Sequence, residues 1–520
     1  MRFLTAGSDG LLVETEDLEQ ALALFERLQS AALPGCLELV PAARTVMLRF
    51  DPLLTDLATL RAGIEALPLG HGTAREGETF EITVVYDGED LADVAQILRC
   101  SVDEVIRRHT AALHTVAFTG FAPGFAYMTS DDPRFDVPRR RSPRVRIPAG
   151  SVALAGKFSG IYPAESPGGW QLLGRTPMKM WDLSRARPAL LVPGDQVRFR
   201  QIHDTAALGA PHVETPSQTR SDAAVVLTVQ RADRPALLQD AGRTGHAALG
   251  VSRSGALDLA SFHAANDMLG NARNAPALEI MFGGITLRCA QPVTLALTGA
   301  PCSMLLTSGD DPEIRFQPSA SFALDAGDTL AIGSPAQGMV SYLGIRGGFL
   351  AEPVMGSASR DSLAGIGPEP VVTGTRLSVG QQARRAVDPL PLPAQALPAS
   401  GDVVDIDVII GPRDDWFTET GLRTLKSQDW RVTPEVSRVG KRLAGPSPLE
   451  RHDATELPSE PTVPGAIQVP HSGQPVVFLA DHPVTGGYPV IAVVARYHLD
   501  LMAQVPPGAL IRFRSINGDR

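Results

Sequence analysis

Two stretches of this chain repeat one another. Residues 147–200 carry Ile147-Pro148-Ala149-Gly150, Ser166-Pro167-Gly168-Gly169-Trp170 and Val192-Pro193-Gly194-Asp195-Gln196-Val197-Arg198-Phe199-Arg200. Residues 463–514 carry Val463-Pro464-Gly465, Thr485-Gly486-Gly487-Tyr488 and Pro506-Pro507-Gly508-Ala509-Leu510-Ile511-Arg512-Phe513-Arg514. Pro148 lies 20 residues before its glycine pair and Pro464 lies 22 before its own. A glycine pair followed by an aromatic, with matching turns on both sides, confines both stretches to β modules of one design. Gly120-Phe121-Ala122-Pro123-Gly124-Phe125 against Gly344-Ile345-Arg346-Gly347-Gly348-Phe349 reads as a third echo. Pseudo-symmetric halves of this kind hold ligands between them or in matching clefts, one per half.

The 520 residues predict three or four domains. With 49 Gly, 43 Pro and only 20% charged residues, the chain reads as many short strands joined by tight turns. The fold class expected is mainly β with an α+β N-terminal domain. A net charge of −10 argues against a nucleic-acid partner. No apolar run reaches membrane-spanning length and the first residues lack a signal-peptide core, so a cytoplasmic protein without a membrane partner is expected. Cys36, Cys100, Cys289 and Cys302 form no CxxC, which fits reduced thiols. Neither HExxH nor a close His/Cys cluster occurs, so no metal site is expected.

Residues 1–86 read as β-α-β-β-α-β, a ferredoxin-like α+β order. Its strands fall at Leu11–Val13, Leu37–Val40, Thr45–Phe50 and Phe80–Tyr86, its helices at Leu18–Leu28 and Leu54–Leu67. Two helices follow, Leu91–Leu98 and Val102–His109, in a unit spanning 87–202 that is β-rich from Val116 onward. The polar, aperiodic stretch 203–224 reads as a linker. A second β-rich unit covers 225–388, interrupted by a helix at Leu257–Leu269, and the last covers 400–520.

Candidate chemistry concentrates at a few places. His109 ends a helix just before the segment that delivers Phe121, Pro123 and Gly124. Imidazole is easily set as acid or base, and glycines beside aromatics let backbone approach a ligand; a capped helix over an aromatic core is the alternative. Arg139, Arg140, Arg141, Arg144 and Arg146 crowd one segment, and Arg175 follows Gly168 and Gly169. Guanidinium suits carboxylate, carbamoyl or phosphate recognition. Arg175 is the candidate for polarising a carbonyl, and Arg146, Gly168 and Gly169 for binding. In the second half, Arg243 precedes Ser254 and Asp258, which open the helix bearing Asn266. Such a helix start can hold an anion, or Asp258 serves only as a first-turn charge. Arg438, Arg442, Gln468, Thr485, Gly486 and Tyr488 line the repeated scaffold, and Asp481 precedes Gly486 in a turn, as a base or in an Asx turn. Arg438, Gln468, Thr485, Gly486 and Tyr488 are binding candidates and Asp481 a catalytic one. No GxxxxGK[ST] or GxSxG occurs. Met178-Lys179-Met180 imitates a biotin-acceptor tripeptide but falls inside the repeat, so biotin is not expected.

Gly120–Tyr127, Pro148–Val152, Gly160-Ile161-Tyr162-Pro163, Ser166–Trp170 and Gly174-Arg175-Thr176-Pro177 resemble the allophanate hydrolase subunit 1 family, better described as the B component of bacterial 5-oxoprolinase. Gln239–Arg243, Ser254–Asp258, Leu297–Ala300, Gly411–Arg413, Pro464–Pro470 and Thr485–Tyr488 resemble the subunit 2 family, the C component of the same enzyme. The chain looks like the B component fused before the C component, and is similar to the carboxyltransferase domain of urea carboxylase. The resemblance implies cyclophilin-like β-barrel modules in 87–202 and 400–520. It implies an amide or lactam substrate, ATP as co-substrate, a separate A-type partner protein, and opening of 5-oxo-L-proline to L-glutamate. It leaves open a homo-oligomer, a biotin-dependent carboxyltransferase or allophanate–urea role, and regulatory binding to a histidine kinase. Two departures stand out: Val436-Ser437-Arg438 where relatives often have Ser-Asn-Arg, and Arg442-Leu443-Ala444-Gly445 where they often have Arg-Leu-Glu-Gly.

Overall fold

The computed structural model describes residues 1–67, 77–140, 142, 144–203, 224–309, 313–393, 395–452 and 455–516. Arg141 and nearly all of the expected linker lie outside the described residues.

The N-terminal module is a four-stranded antiparallel sheet in the order Arg2–Thr5, Gly10–Glu14, Thr45–Phe50, Cys36–Pro41. Strand alternation gives it two working faces. Leu11, Val13, Val46 and Leu48 pack beneath the helices Leu18–Ala31 and Leu57–Glu65. Leu12 and Met47, one step out of phase, pack instead with Phe478, Val490 and Val493 near the other end of the chain. Asp17 and Asp56 cap the two helices by accepting from Gln20 N and Thr59 N.

The strand expected at Phe80–Tyr86 does not complete this sheet, so the ferredoxin-like order is not formed. Thr79–Val84 pairs in parallel with Gln196–Gln201, and Arg2–Thr5 supplies the fourth strand of the N-terminal sheet. The reason lies in the core it fills: Ile82 and Val84 are buried with Val197 and Phe199.

That strand begins a seven-stranded barrel. Around it run Thr79–Val84, Gln171–Arg175, Ser151–Ala155, Phe158–Ile161, Ala126–Ser130, His114–Thr119 and Gln196–Gln201. Reciprocal bonds between Val85 and Arg175, at 2.9 and 2.8 Å, close the gap. A second barrel runs Val403–Ile410, Val490–Val494, Ala466–Gln468, Val476–Phe478, Gly440–Ala444, Trp430–Val436 and Leu510–Ser515. In chain order within each barrel, both sequences read first, sixth, fourth, fifth, third, second, seventh. Each barrel also carries a two-stranded flap at the same two insertion points, Arg144–Ile147 with Ser166–Gly168 and Glu460–Pro461 with Thr485–Gly486. The repeat is therefore a repeat of fold.

The third echo is not. Gly120–Phe125 is a turn between barrel strands, whereas Gly344 and Ile345 end a central strand of another sheet. The topological counterpart of Gly120–Phe125 is the turn Ser437–Val439.

Between the barrels, antiparallel sheets of six and five strands enclose one apolar core that includes Leu227, Leu287, Leu278 and Leu343. The helix Leu259–Met268 lies on the five-stranded sheet, and Phe262 and Tyr342 continue into the core of the second barrel. Lys441, fully buried in that barrel, donates to the carbonyls of Met502 (2.7 Å), Ala503 (3.1 Å) and Val505 (2.5 Å). Those carbonyls end the helix Leu499–Gln504, where acceptors lack intrahelical partners. Among the described residues no helix is long and apolar enough to cross a membrane.

Burial holds His114 and His482 down at about 4, and it also pushes His109 well below the ordinary range. Unfolded imidazoles protonate near 6.5, so between about 6.5 and 4 the unfolded chain binds more protons and native stability falls as pH drops. His114 and His482 each contribute up to about 3 kcal/mol to that loss. We expect the urea midpoint to fall between pH 7.5 and pH 5, and to fall less in the His114→Gln/His482→Gln double variant. An equal pH dependence in both proteins contradicts this assignment.

Candidate functional site

The flaps of the two barrels face each other across one cleft of about 550 Å³. The sequence left open a shared site or one cleft per half; both glycine pairs line this shared one.

The first barrel supplies an aromatic wall. Phe121, Phe125, Tyr127, Tyr162 and Trp170 line the cleft. Phe125 is its hub, edge-on to Tyr127 (5.0 Å), Trp170 (5.1 Å), Tyr162 (5.3 Å) and Phe121 (5.4 Å). Such edge-to-face contacts fix ring orientation as well as bury area. The second barrel supplies Gln468, His471, Thr485, Gly486, Gly487 and Tyr488. Gln468 donates to the carbonyl of Tyr488 at 3.0 Å, tying the flap back to its barrel.

Thr485 joins the two walls. Its Oγ1 accepts from the backbone N–H of Phe121 at 2.8 Å and lies 3.1 Å from the Tyr127 hydroxyl. A Cβ on Gly120 would lie 2.6 Å from Thr485 Cγ2 and 2.7 Å from Oγ1, so only glycine admits this approach. Nearby, Arg139 from the first half donates to Ser459 Oγ of the second at 2.9 Å. The N-terminal hairpin reinforces the seam. Ala42 and Ala43 pack on the aromatic cluster, Ala43 N donates to Ser459 O, and Glu38 accepts from Gly245 N and Ala247 N.

Behind the second wall lies a buried charge network. Arg438 donates to Asp481 through Nε and Nη2 (both 2.9 Å), to the Gly255 carbonyl (2.6 Å) and to Glu279. Asp481 also accepts from Ser254 Oγ (2.6 Å) and from Ser362 N and Oγ (2.7 Å each). Burial alone would raise the Asp481 carboxyl, but the Arg438 charge outweighs it and holds the group below its usual range. Burial and the neighbouring Asp481 push Asp361 upward. Ser437, Val439, Pro483 and Leu363, adjacent to these groups, line the cleft, so the network positions the wall from behind.

The expected site residues therefore divide. Phe121, Gly168, Gly169, Gln468, Thr485, Gly486 and Tyr488 come together in the cleft. Pro123 lines a smaller neighbouring cavity of about 220 Å³ that shares Phe121 and Leu363. Gly124 packs against Met180 and Trp181 instead. None of the three catalytic candidates lines the cleft. His109 is sealed between its helix and the first barrel, stacked on Phe199 and bonded to the Tyr86 hydroxyl at 2.7 Å. Arg175 points outward and pairs with Asp87, and Asp481 is held in the network just described. Arg146 pairs at the surface with Glu165. Arg243 is buried and donates to the Ser359 carbonyl; Ser254 and Arg438 belong to the network. Asp258 caps its helix and accepts from Gln504, while Asn266 ties that helix to the Ala275 carbonyl. Sequence reasoning missed Arg139, Phe125, Tyr127, Tyr162 and Trp170 as site residues. Trp170 beside the glycine pair was the signal available for one of them. Among the described residues no three His, Cys, Asp or Glu side chains gather to hold a metal ion.

Comparison with known proteins matches this architecture. A family model described as carboxyltransferase domain, subdomain A and B, matches residues 249–515, and its companion, subdomain C and D, matches residues 1–191. The chain is 35% identical over 291 residues to the C component of 5-oxoprolinase from Escherichia coli (strain K12), covering 55% of this chain and 90% of that protein. It is 39% identical over 153 residues to the B component of 5-oxoprolinase from Haemophilus influenzae, covering 29% of this chain and 69% of that one. The crystal structure of TTHA0988 superposes with a TM-score of 0.82 at 34% identity, covering 97% of this chain and 99% of that one.

Removing one member of a buried ion pair strands the other in low dielectric, at about 3–5 kcal/mol. Arg438→Met is expected to cost that much in urea unfolding, because Asp481 and Glu279 lose their shared cation. Arg175→Met, which breaks an exposed pair, is expected to cost below about 1 kcal/mol. Equal effects of the two substitutions contradict the positioning role. Thr485→Val, which leaves the Phe121 N–H without its acceptor, is expected to lower stability by about 1–3 kcal/mol. An unchanged midpoint for that variant contradicts the seam described here.

Proposed function

The chain belongs to the carboxyltransferase-domain family, and from that premise we propose that it is the fused B and C component of an ATP-dependent 5-oxoprolinase. With a separate A-type partner protein it opens the lactam of 5-oxo-L-proline to L-glutamate. The observation that carries this reading is the single cleft whose walls come from both halves. Relatives of the two halves bear the names of two components of one enzyme.

The cleft suits a small cyclic amide. The aromatic wall can cover ring methylenes, while Gln468 and the Thr485–Gly487 flap offer polar groups at the opposite side. Ring opening adds one water across the C–N bond, giving a carboxylate and an amine, and polar groups must meet the charge that develops on the carbonyl oxygen. The cleft suits a triphosphate poorly. Arg140 is engaged by Asp90 and Arg442 by Glu435, and the sequence has no GxxxxGK[ST] loop. Nucleotide handling therefore falls to the partner in this reading, and no step runs through ATP in this chain.

The family's name gives a second reading, carboxyl transfer. One experiment separates the two. The chain, an A-type partner protein and their mixture are assayed for ATP-dependent glutamate release from 5-oxoproline. Release in the mixture alone is the expected result. No release, together with fixation of labelled bicarbonate onto an amide when a biotin carrier is supplied, overturns the proposal in favour of carboxyl transfer.

A further inference from the structure

Among the described residues three guanidinium groups line the cleft, and their partners distinguish them. Arg140 gives its charge to the buried Asp90, and Arg442 pairs with Glu435 at 2.6 Å. Arg139 has no such close carboxylate. Its Nη2 donates to the neutral Ser459 hydroxyl, and the nearest acid, Glu456, lies 3.9 Å from Nε, beyond hydrogen-bond range. Among the described residues its Nη1 makes no hydrogen bond. That nitrogen lies against Gly487, where a Cβ would overlap it. The Arg139 side chain is only 21% exposed, and its charge acts on the phenols of both Tyr162 and Tyr488, which belong to opposite walls.

A largely buried cation between the two walls, with Nη1 making no hydrogen bond among the described residues, calls for an anion from outside the chain. We propose that Arg139 is the carboxylate receptor of the cleft: it takes the acid group of the substrate through Nη1, which is seated where a side chain on residue 487 would stand. This rests on the lactam reading above and deepens it. Ser459 aims the guanidinium and Glu456 offsets its charge while the cleft is empty. The substrate class that follows is a small ring or chain bearing a carboxylate close to the amide. An amide without the acid lacks the contact that distinguishes it.

Three probes separate the contributions: 5-oxoproline, 2-pyrrolidinone, which keeps the lactam and lacks the acid, and cyclopentanecarboxylate, which keeps the acid and lacks the lactam. Their binding to the full chain, alone and with an A-type partner protein, is measured by calorimetry. Charge-assisted hydrogen bonds contribute about 1.5–3 kcal/mol, so Arg139→Gln should weaken 5-oxoproline and cyclopentanecarboxylate roughly 10- to 100-fold while leaving 2-pyrrolidinone unchanged. Gly487→Ala is the independent variant. It keeps Arg139 but displaces the flexible end of its side chain, and should reproduce the loss. An equal loss of 2-pyrrolidinone binding would indicate that Arg139 only holds the seam together, and overturns the proposal. So does wild-type affinity for 5-oxoproline in Arg139→Gln, or failure of both carboxylates to bind wild-type protein. Arg139-dependent binding of cyclopentanecarboxylate without turnover of 5-oxoproline supports the receptor and removes the lactam reading instead.

Discussion

The Thr485 hydroxyl occupies the space that a side chain on residue 120 would fill. Through that one contact a turn of the first barrel and a flap of the second become a continuous wall. The two glycine pairs then face each other, and the aromatic cluster of one half gains polar neighbours from the other. The N-terminal sheet strengthens the arrangement because it is apolar on both faces. One face packs under its own helices and the other packs on the second barrel, while its hairpin turn reaches the first.

Electrostatics positions this wall more than it stabilises it. Replacing a buried ion network by well-packed apolar groups is often neutral or favourable, so Arg438, Asp481 and Glu279 are weak evidence for stability as such. Their geometry explains them better. Arg438 sits in the turn that matches Gly120–Phe125 of the first barrel, and Asp481 lies just before the flap that carries Thr485. Ser254, Gly255 and Ser362 come from the β-sandwich unit. A single guanidinium thus fixes a turn, a flap and a neighbouring domain together. The cost of any alternative placement is an unpaired buried charge.

Much of the fold was legible in the sequence, and the reason is local. Glycine pairs, proline turns and the recurring Arg-Phe-Arg strand marked the two barrels, because backbone geometry at those positions tolerates few substitutes. The helix expected at Val102–His109 starts where Ser101 caps it, whereas the one expected at Leu54–Leu67 starts only at Leu57, after its cap Asp56. Thr79–Val84 was assigned to the wrong sheet because its partner, Gln196–Gln201, lies more than a hundred residues away, and no local pattern reports a parallel pairing. The site was harder. A histidine at a helix end reads the same whether it faces solvent or, like His109, stacks on Phe199. The crowded arginines look equivalent in sequence and differ only in partner: Arg140 and Arg144 meet Asp90, Arg146 meets Glu165, and Arg139 meets a serine of the opposite half.

The central claim is that one ligand touches both halves at once. A crystal structure of the chain with 5-oxoproline bound tests it most directly. The ligand is expected between Gly168-Gly169-Trp170 and Thr485-Gly486-Gly487, in contact with residues of both barrels. A ligand held by one barrel alone, or bound at Arg175 on the outer surface, would contradict it.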